Sequence, residues 1–131
     1  MELRVKVTVI DKKLFPELQK QYLKVPNSGK CPCYCVGDEF IFERNEKRDD
    51  YWHCGPGIRV KDGTPDEGCL ESPGTMHCWS EGVPFCAEAR DAISRYIYTG
   101  LQGGSIMHGW TRDDRVMIAC CNDGARPAIF R

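Results

Sequence analysis

Nine of the 131 residues are cysteines, and three of them stand at alternate positions, Cys31, Cys33 and Cys35. A thiolate can hold zinc or iron, and it can attack an electrophile. In a regular strand, alternate side chains share one face at steps of about 6.6 Å. Zinc holds each sulfur at about 2.3 Å, so a straight strand cannot give one ion all three thiolates. A turn or kink is needed to bring two of them together. Pro32 favours an extended conformation at Cys31. The Cys-x-x-Cys spacing of zinc knuckles and thioredoxin-like sites is absent from this cluster.

Other cysteines have distinct settings. Cys86 opens the strongest helical pattern in the chain. The positive end of a helix dipole favours a thiolate there, Arg90 adds to that, and Glu88 and Asp91 oppose it. Cys86 is therefore a candidate nucleophile or iron ligand; the plain alternative is a small apolar side chain on the helix's inner face. Cys120 and Cys121 are adjacent, and adjacent strand residues point to opposite faces. One should enter the core and the other should face away. Arg126 follows a turn at Asn122-Asp123-Gly124. Its planar fork suits a carboxylate or phosphate, or it can tie the hairpin together. His53-Cys54, Cys69 and His77-Cys78 offer a second tetrahedral donor set in the middle of the chain. His108 and Trp110 lie in a Gly-rich connection, where a histidine can serve as base or ligand but is more often a surface imidazole. There is no Ser-His-Asp signature, phosphate-binding glycine loop or dinucleotide fingerprint.

These residues must be positioned by recognisable elements. Leu3, Val5, Val7 and Val9 alternate with Arg4, Lys6 and Thr8, which predicts a strand with one apolar face. A short helix is expected after Pro16, with Leu18, Tyr22 and Phe15 on one side. Glu39 to Glu43 reads as a strand after the Gly37-Asp38 turn. Residues 44–84 are rich in Gly, Pro, Cys and His without a sustained period, and read as a long irregular insertion. Phe85, Ala89, Ala92, Ile93, Tyr96, Ile97 and Leu101 recur at steps of three and four, and Gly103-Gly104 should close that helix. Residues 115–121 and 125–130 should pair as a hairpin, with Pro127 at the start or edge of the second strand. The sum is an α+β chain: a small antiparallel sheet with a long helix packed on one face, and a long Cys- and His-containing insertion.

The length suits one domain spanning residues 1–131. Acidic and basic residues nearly cancel, to a net charge of -1, which argues against general nucleic-acid binding. No apolar run approaches the roughly 20 residues of a membrane span, and the first residues alternate in character unlike a signal peptide. A cytoplasmic setting is therefore expected. There, nine cysteines speak for metal, thiol chemistry or buried free thiols rather than a disulfide framework.

At its C-terminal motif the chain resembles a family of small cysteine-containing proteins of anaerobic bacteria and archaea. The residues that carry the likeness are Val5 to Val9, Cys31-Pro32, Gly37 to Phe40, Cys86-Ala87 and Cys120-Cys121-Asn122-Asp123-Gly124-Ala125-Arg126-Pro127-Ala128-Ile129-Phe130. The insertion is longer and richer in Cys and His than the family pattern. The resemblance implies an anaerobic setting, where exposed thiolates and oxygen-sensitive clusters survive. It supplies a shape and a set of residues, and no reaction.

Three functions are open at this level. The leading expectation is a metal-binding redox protein, with an iron–sulfur cluster or zinc held by Cys31, Cys86, Cys120 and Cys121. Cys33 or Cys35 could complete the set. The second is a metal-free enzyme in which Cys86 or Cys121 attacks and Arg126 holds an anionic small molecule. The third is a non-enzymatic accessory or binding protein, with a homo-oligomer as one form of it. The partner is accordingly a small-molecule substrate or a redox protein. Oligomeric state and the roles of Cys33, Cys35, Cys54, Cys69 and Cys78 are open.

Overall fold

The computed structural model describes residues 3–43, 58–64 and 86–131. Five strands, β1 (Arg4–Lys12), β2 (Glu39–Glu43), β3 (Ile58–Lys61), β4 (Ala119–Cys120) and β5 (Ala128–Phe130), form one sheet in the order β3-β2-β1-β5-β4. Every neighbouring pair is antiparallel. Two helices, α1 (Pro16–Tyr22) and α2 (Ala87–Leu101), complete the described elements. This is the α+β architecture expected, with the long helix on one face of the sheet.

The periodic elements bury the faces their sequences imply. Ala89, Ile93, Ile97 and Leu101 form the buried stripe of α2. Burying each Ile or Leu contributes roughly 1.5–3 kcal/mol. The stripe packs against Val7, Val9, Phe40, Phe42 and Phe130 of the sheet. Tyr34 meets Phe40 and Phe130 edge-on, with ring centroids 6.0 and 5.1 Å away. The helix ends as the glycine pair predicts. Gly103 adopts φ +81°, its N–H donates to the Gly100 carbonyl, and Gly104 N–H donates to that of Thr99. The last carbonyls of α2 are thereby satisfied.

Four local readings change. The expected strand at 115–121 shrinks to Ala119–Cys120, because Asp113 folds the preceding residues into a turn. Its carbonyl accepts Val116 N–H and its carboxylate accepts Arg115 N–H. Helix α1 forms, but Phe15, Leu18 and Tyr22 are exposed. The residue it buries is Gln19, whose side-chain amide donates to the Gly29 carbonyl at 3.0 Å. Cys86 is the cap residue preceding α2 rather than a member of its first turn, and Phe85 lies outside the described residues. Of the insertion at 44–84, only 58–64 is described; it forms β3 on β2, and Thr64 bridges to Val36.

The register of β1 has one further consequence. Val9 pairs with Phe130, Asp11 with Ile129 and Lys12 with Ala128, so Ile10 is an extra residue. A one-residue bulge reverses the facing of everything beyond it. Even-numbered positions before it share the face of Lys6, away from α2. After it, Lys12 turns inward beside the fully buried Ala128.

Candidate functional site

The inward turn of Lys12 places an ammonium in the core, where it is 2% exposed. Its Nζ donates to the Tyr34 carbonyl at 2.8 Å. Tyr34 belongs to the cysteine loop, so the lysine and that loop meet. The loop is not a regular strand, because the backbone bends at Pro32 and Cys33. The bend folds Cys33 back on Cys31, and Cys33 N–H donates to Cys31 Sγ at 3.4 Å. The third cysteine goes elsewhere. Cys35 is buried at a hook in which its N–H donates to Asp38 Oδ2 at 2.9 Å, while Gly63 N–H donates to Asp38 Oδ1 at 2.6 Å. The hook is fixed to β1: Val9 N–H donates to the Asp38 carbonyl, and Gly37 N–H donates to that of Val9.

The surroundings of Cys31 favour its anion. Its pKa is pulled from the ordinary thiol range to about 6. The Cys33 thiol, donating to its sulfur, is the largest cause; burial opposes it, and the N–H groups of Cys33 and Tyr34 and the Lys12 charge add to the lowering. At neutral pH the contact with Cys33 therefore favours a thiolate at Cys31.

Of the two adjacent cysteines at the far end of the chain, one approaches Cys31. The pairing of Cys120 with Ile129 directs Cys120 outward, and it is exposed. Cys121 is half-buried and packs on the core, close enough to Cys31 to feel its charge, and Cys33 and Cys86 pack on that core as well. Its N–H donates to the carbonyl of Ala128, the residue opposite Lys12. Burial pushes the Cys121 thiol up, and the charges of Cys31 and Asp123 push the same way against two backbone contacts. Asn122 then ties this strand end to the start of α2. Its N–H donates to the Glu88 carbonyl at 3.3 Å and its side-chain amide to Asp91 at 2.9 Å. That bracket sets Cys86 and Cys121 against one core.

The structure thus separates the expected site residues. Cys31 and Cys121 come near each other, Cys86 packs on the same core, and Cys120 is exposed. Among the described residues, no three Cys, His, Asp or Glu side chains are arranged to hold a metal ion. The set Cys31, Cys86, Cys120 and Cys121 is not gathered, because vicinal residues on a strand diverge. Cys54, Cys69 and Cys78, with His53 and His77, lie outside the described residues. Arg126 is half-buried and turned to its own turn: its Nε donates to Asp123 Oδ2 at 3.4 Å, and Asp123 Oδ1 accepts the N–H groups of Ala125 and Arg126. His108 is exposed and bonded through Nδ1 to Asp114 at 2.6 Å, away from the thiols. Sequence reasoning missed Lys12. The signal is the break in alternation at Val9-Ile10, two apolar residues in a row inside an otherwise alternating strand.

Together these features define a small α+β protein with a polarised dithiol beside a buried lysine. No protein family, curated protein or solved structure matches the chain. No described helix is long and apolar enough to cross a membrane.

Proposed function

We propose that the protein is a thiol–disulfide redox protein whose working pair is Cys31 and Cys33. The observation that carries this reading is the folded-back Cys-Pro-Cys loop, in which Cys33 donates both its N–H and its S–H to the Cys31 sulfur. In the step proposed, the Cys31 thiolate attacks one sulfur of a disulfide on a small molecule or partner protein. The S–S bond breaks, one thiolate leaves, and a mixed disulfide forms on Cys31. Cys33 then loses its proton and attacks Cys31, releasing the second thiolate. Two electrons have passed to the substrate, and Cys31 and Cys33 are joined.

The lysine supports this reading, because a fixed ammonium stabilises the attacking thiolate. The nucleophile moves from Cys86 or Cys121 to Cys31 on this evidence. Cys121, its thiol pushed up, suits a packing or reserve role. An iron–sulfur or zinc site has no comparable support, since the described thiols do not converge on a point. In the family that the closing motif resembles, we propose that the Cys-Pro, the helix-opening Cys and the second Cys of the Cys-Cys pair pack on one core.

The test is alkylation of the reduced protein, followed cysteine by cysteine by mass spectrometry across pH. Cys31 should react with a midpoint near 6, and mild oxidation should join Cys31 to Cys33. A Cys31 midpoint in the ordinary range of about 8.5, or oxidation that bypasses the pair, would sink the proposal.

A further inference from the structure

The folded-back pair also meets the needs of one class of metal ion. The loop that carries it is fixed at both ends. On one side the Gln19 amide donates to the Gly29 carbonyl at 3.0 Å, and on the other Cys35 N–H donates to Asp38 Oδ2 at 2.9 Å. The bend between them holds Cys33 N–H on Cys31 Sγ at 3.4 Å, and the Cys33 thiol reaches the same sulfur. The two sulfurs therefore stand side by side in the reduced chain, before a disulfide or an ion joins them. Cys31 is buried and Cys33 half-buried, so the pair is covered by protein and still open to an arriving ion past Cys33.

The number of donors selects the ion. Among the described residues, no third Cys, His, Asp or Glu joins the pair to hold a metal. A closed zinc site takes four ligands, so zinc here would keep open positions for water beside the buried Cys31. Calcium and magnesium take oxygen ligands. A soft monovalent ion with a filled d shell, Cu(I), is matched by thiolates and is satisfied by two of them. Charge selects in the same sense. Two thiolates on Cu(I) carry one net negative charge, whereas two on Zn(II) carry none. A buried charge needs a counterpart. Lys12, 2% exposed, donates to the carbonyl of Tyr34, the residue after Cys33, and its charge is felt at Cys31.

From this combination we infer that Cys31 and Cys33 bind Cu(I) as a two-coordinate bis-thiolate, with the Lys12 ammonium balancing its charge. Both sulfurs bind as thiolates, and any proton they carry passes to solvent. No electron moves, so the copper stays Cu(I) and no disulfide forms. The inference rests on the folded-back pair of the redox reading but not on its exchange reaction. A failure to bind copper leaves the Cys31 alkylation midpoint and the Cys31–Cys33 disulfide untouched, and an ordinary midpoint leaves copper binding to stand.

The experiment gives the full reduced chain Cu(I) as its acetonitrile complex, without oxygen, and follows alkylation cysteine by cysteine by mass spectrometry. Cu(I) should slow the reaction of both Cys31 and Cys33 by about tenfold or more and leave Cys120 at its own rate. Zn(II) at the same concentration should leave the pair reactive. Stripping the copper with a chelator should restore both thiols with no reductant added. Cys31→Ser should leave Cys33 unprotected, and Cys33→Ser should leave Cys31 unprotected. Lys12→Met should need about tenfold more Cu(I) for the same protection. Cys31 and Cys33 reacting at unchanged rates with Cu(I) present, equal protection by Zn(II), thiols that stay blocked after chelation, or protection that survives in either serine variant would each overturn the inference.

Discussion

Lys12 is a costly residue to bury, because an ammonium taken from water loses several kcal/mol of hydration. The Tyr34 carbonyl at 2.8 Å and the charge on Cys31 help to offset that loss. Lysine and thiolate are therefore mutually dependent, and removing one should disturb the other. Lys12→Met keeps the length of the side chain and deletes its charge. The Cys31 thiol should then titrate at a higher pH, and its alkylation near neutral pH should slow. Cys33→Ala should raise it further, since the Cys33 thiol is the larger cause of the lowering. The ranking of the two variants by alkylation midpoint checks this. If Lys12→Met moves the midpoint more than Cys33→Ala does, the charge and not the dithiol contact dominates. None of this was legible residue by residue. The spacing Cys31-x-Cys33 showed that a kink was needed, and Pro32 and Cys33 supply it, but no local pattern announces which partner the bent loop meets.

Among the elements, legibility follows the range of the interactions that decide each one. The stripe Ala89, Ile93, Ile97, Leu101 repeats every fourth residue, and its helix is where that period puts it. The divergence of Cys120 and Cys121 was likewise readable from strand geometry alone. The bulge at Ile10 left only a faint trace, the apolar doublet Val9-Ile10, because it is set by pairing with β5, more than a hundred residues away. Helix α1 misled for the same reason: its apolar side is exposed, and a loop carbonyl ten residues on selects Gln19 for burial. Strand β3 was hidden in an irregular stretch, and its Ile58 and Val60 are exposed. What docks it is backbone. Gly63 lies so close to the Cys35–Asp38 hook that a Cβ would stand 2.3 Å from the Val36 carbonyl oxygen and 2.7 Å from both Asp38 N and the Cys35 oxygen. Backbone cannot yield as a flexible side chain can. Gly63→Ala should therefore cost about 1–3 kcal/mol in urea unfolding. Gly124→Ala, with nothing within 4 Å, should be near neutral. Equal midpoints for the two variants would show that the hook does not hold β3 to the thiol loop.

For the whole molecule, two thiols shifted in opposite senses should shape stability against pH. The Cys31 pKa is about 6 when folded and about 8.5 in an unfolded chain. Between those values the unfolded chain binds the extra proton, so stability rises with pH. The contribution is fully present above about 8.5, and it is lost as pH falls through about 6. The slope from one proton cannot exceed about 1.4 kcal/mol per pH unit. Cys121 has the reverse sign, because its folded pKa is raised. It ionises in the unfolded chain first, so stability declines as pH climbs above the ordinary thiol value. The two together give a maximum near pH 8.5, about where an unfolded thiol titrates. Asp11 and Asp113, lowered by Lys13 and Arg115, contribute only at acid pH and weakly, since both pairs are at the surface. Urea midpoints of the reduced protein, taken from about pH 6 to about pH 9.5, should trace this dome. Cys31→Ala should flatten its acid side and keep the alkaline decline, and Cys121→Ala should do the opposite. A wild-type midpoint unchanged between about pH 6 and 8.5 would mean that folding does not stabilise a thiolate at Cys31, and the redox reading would lose its nucleophile.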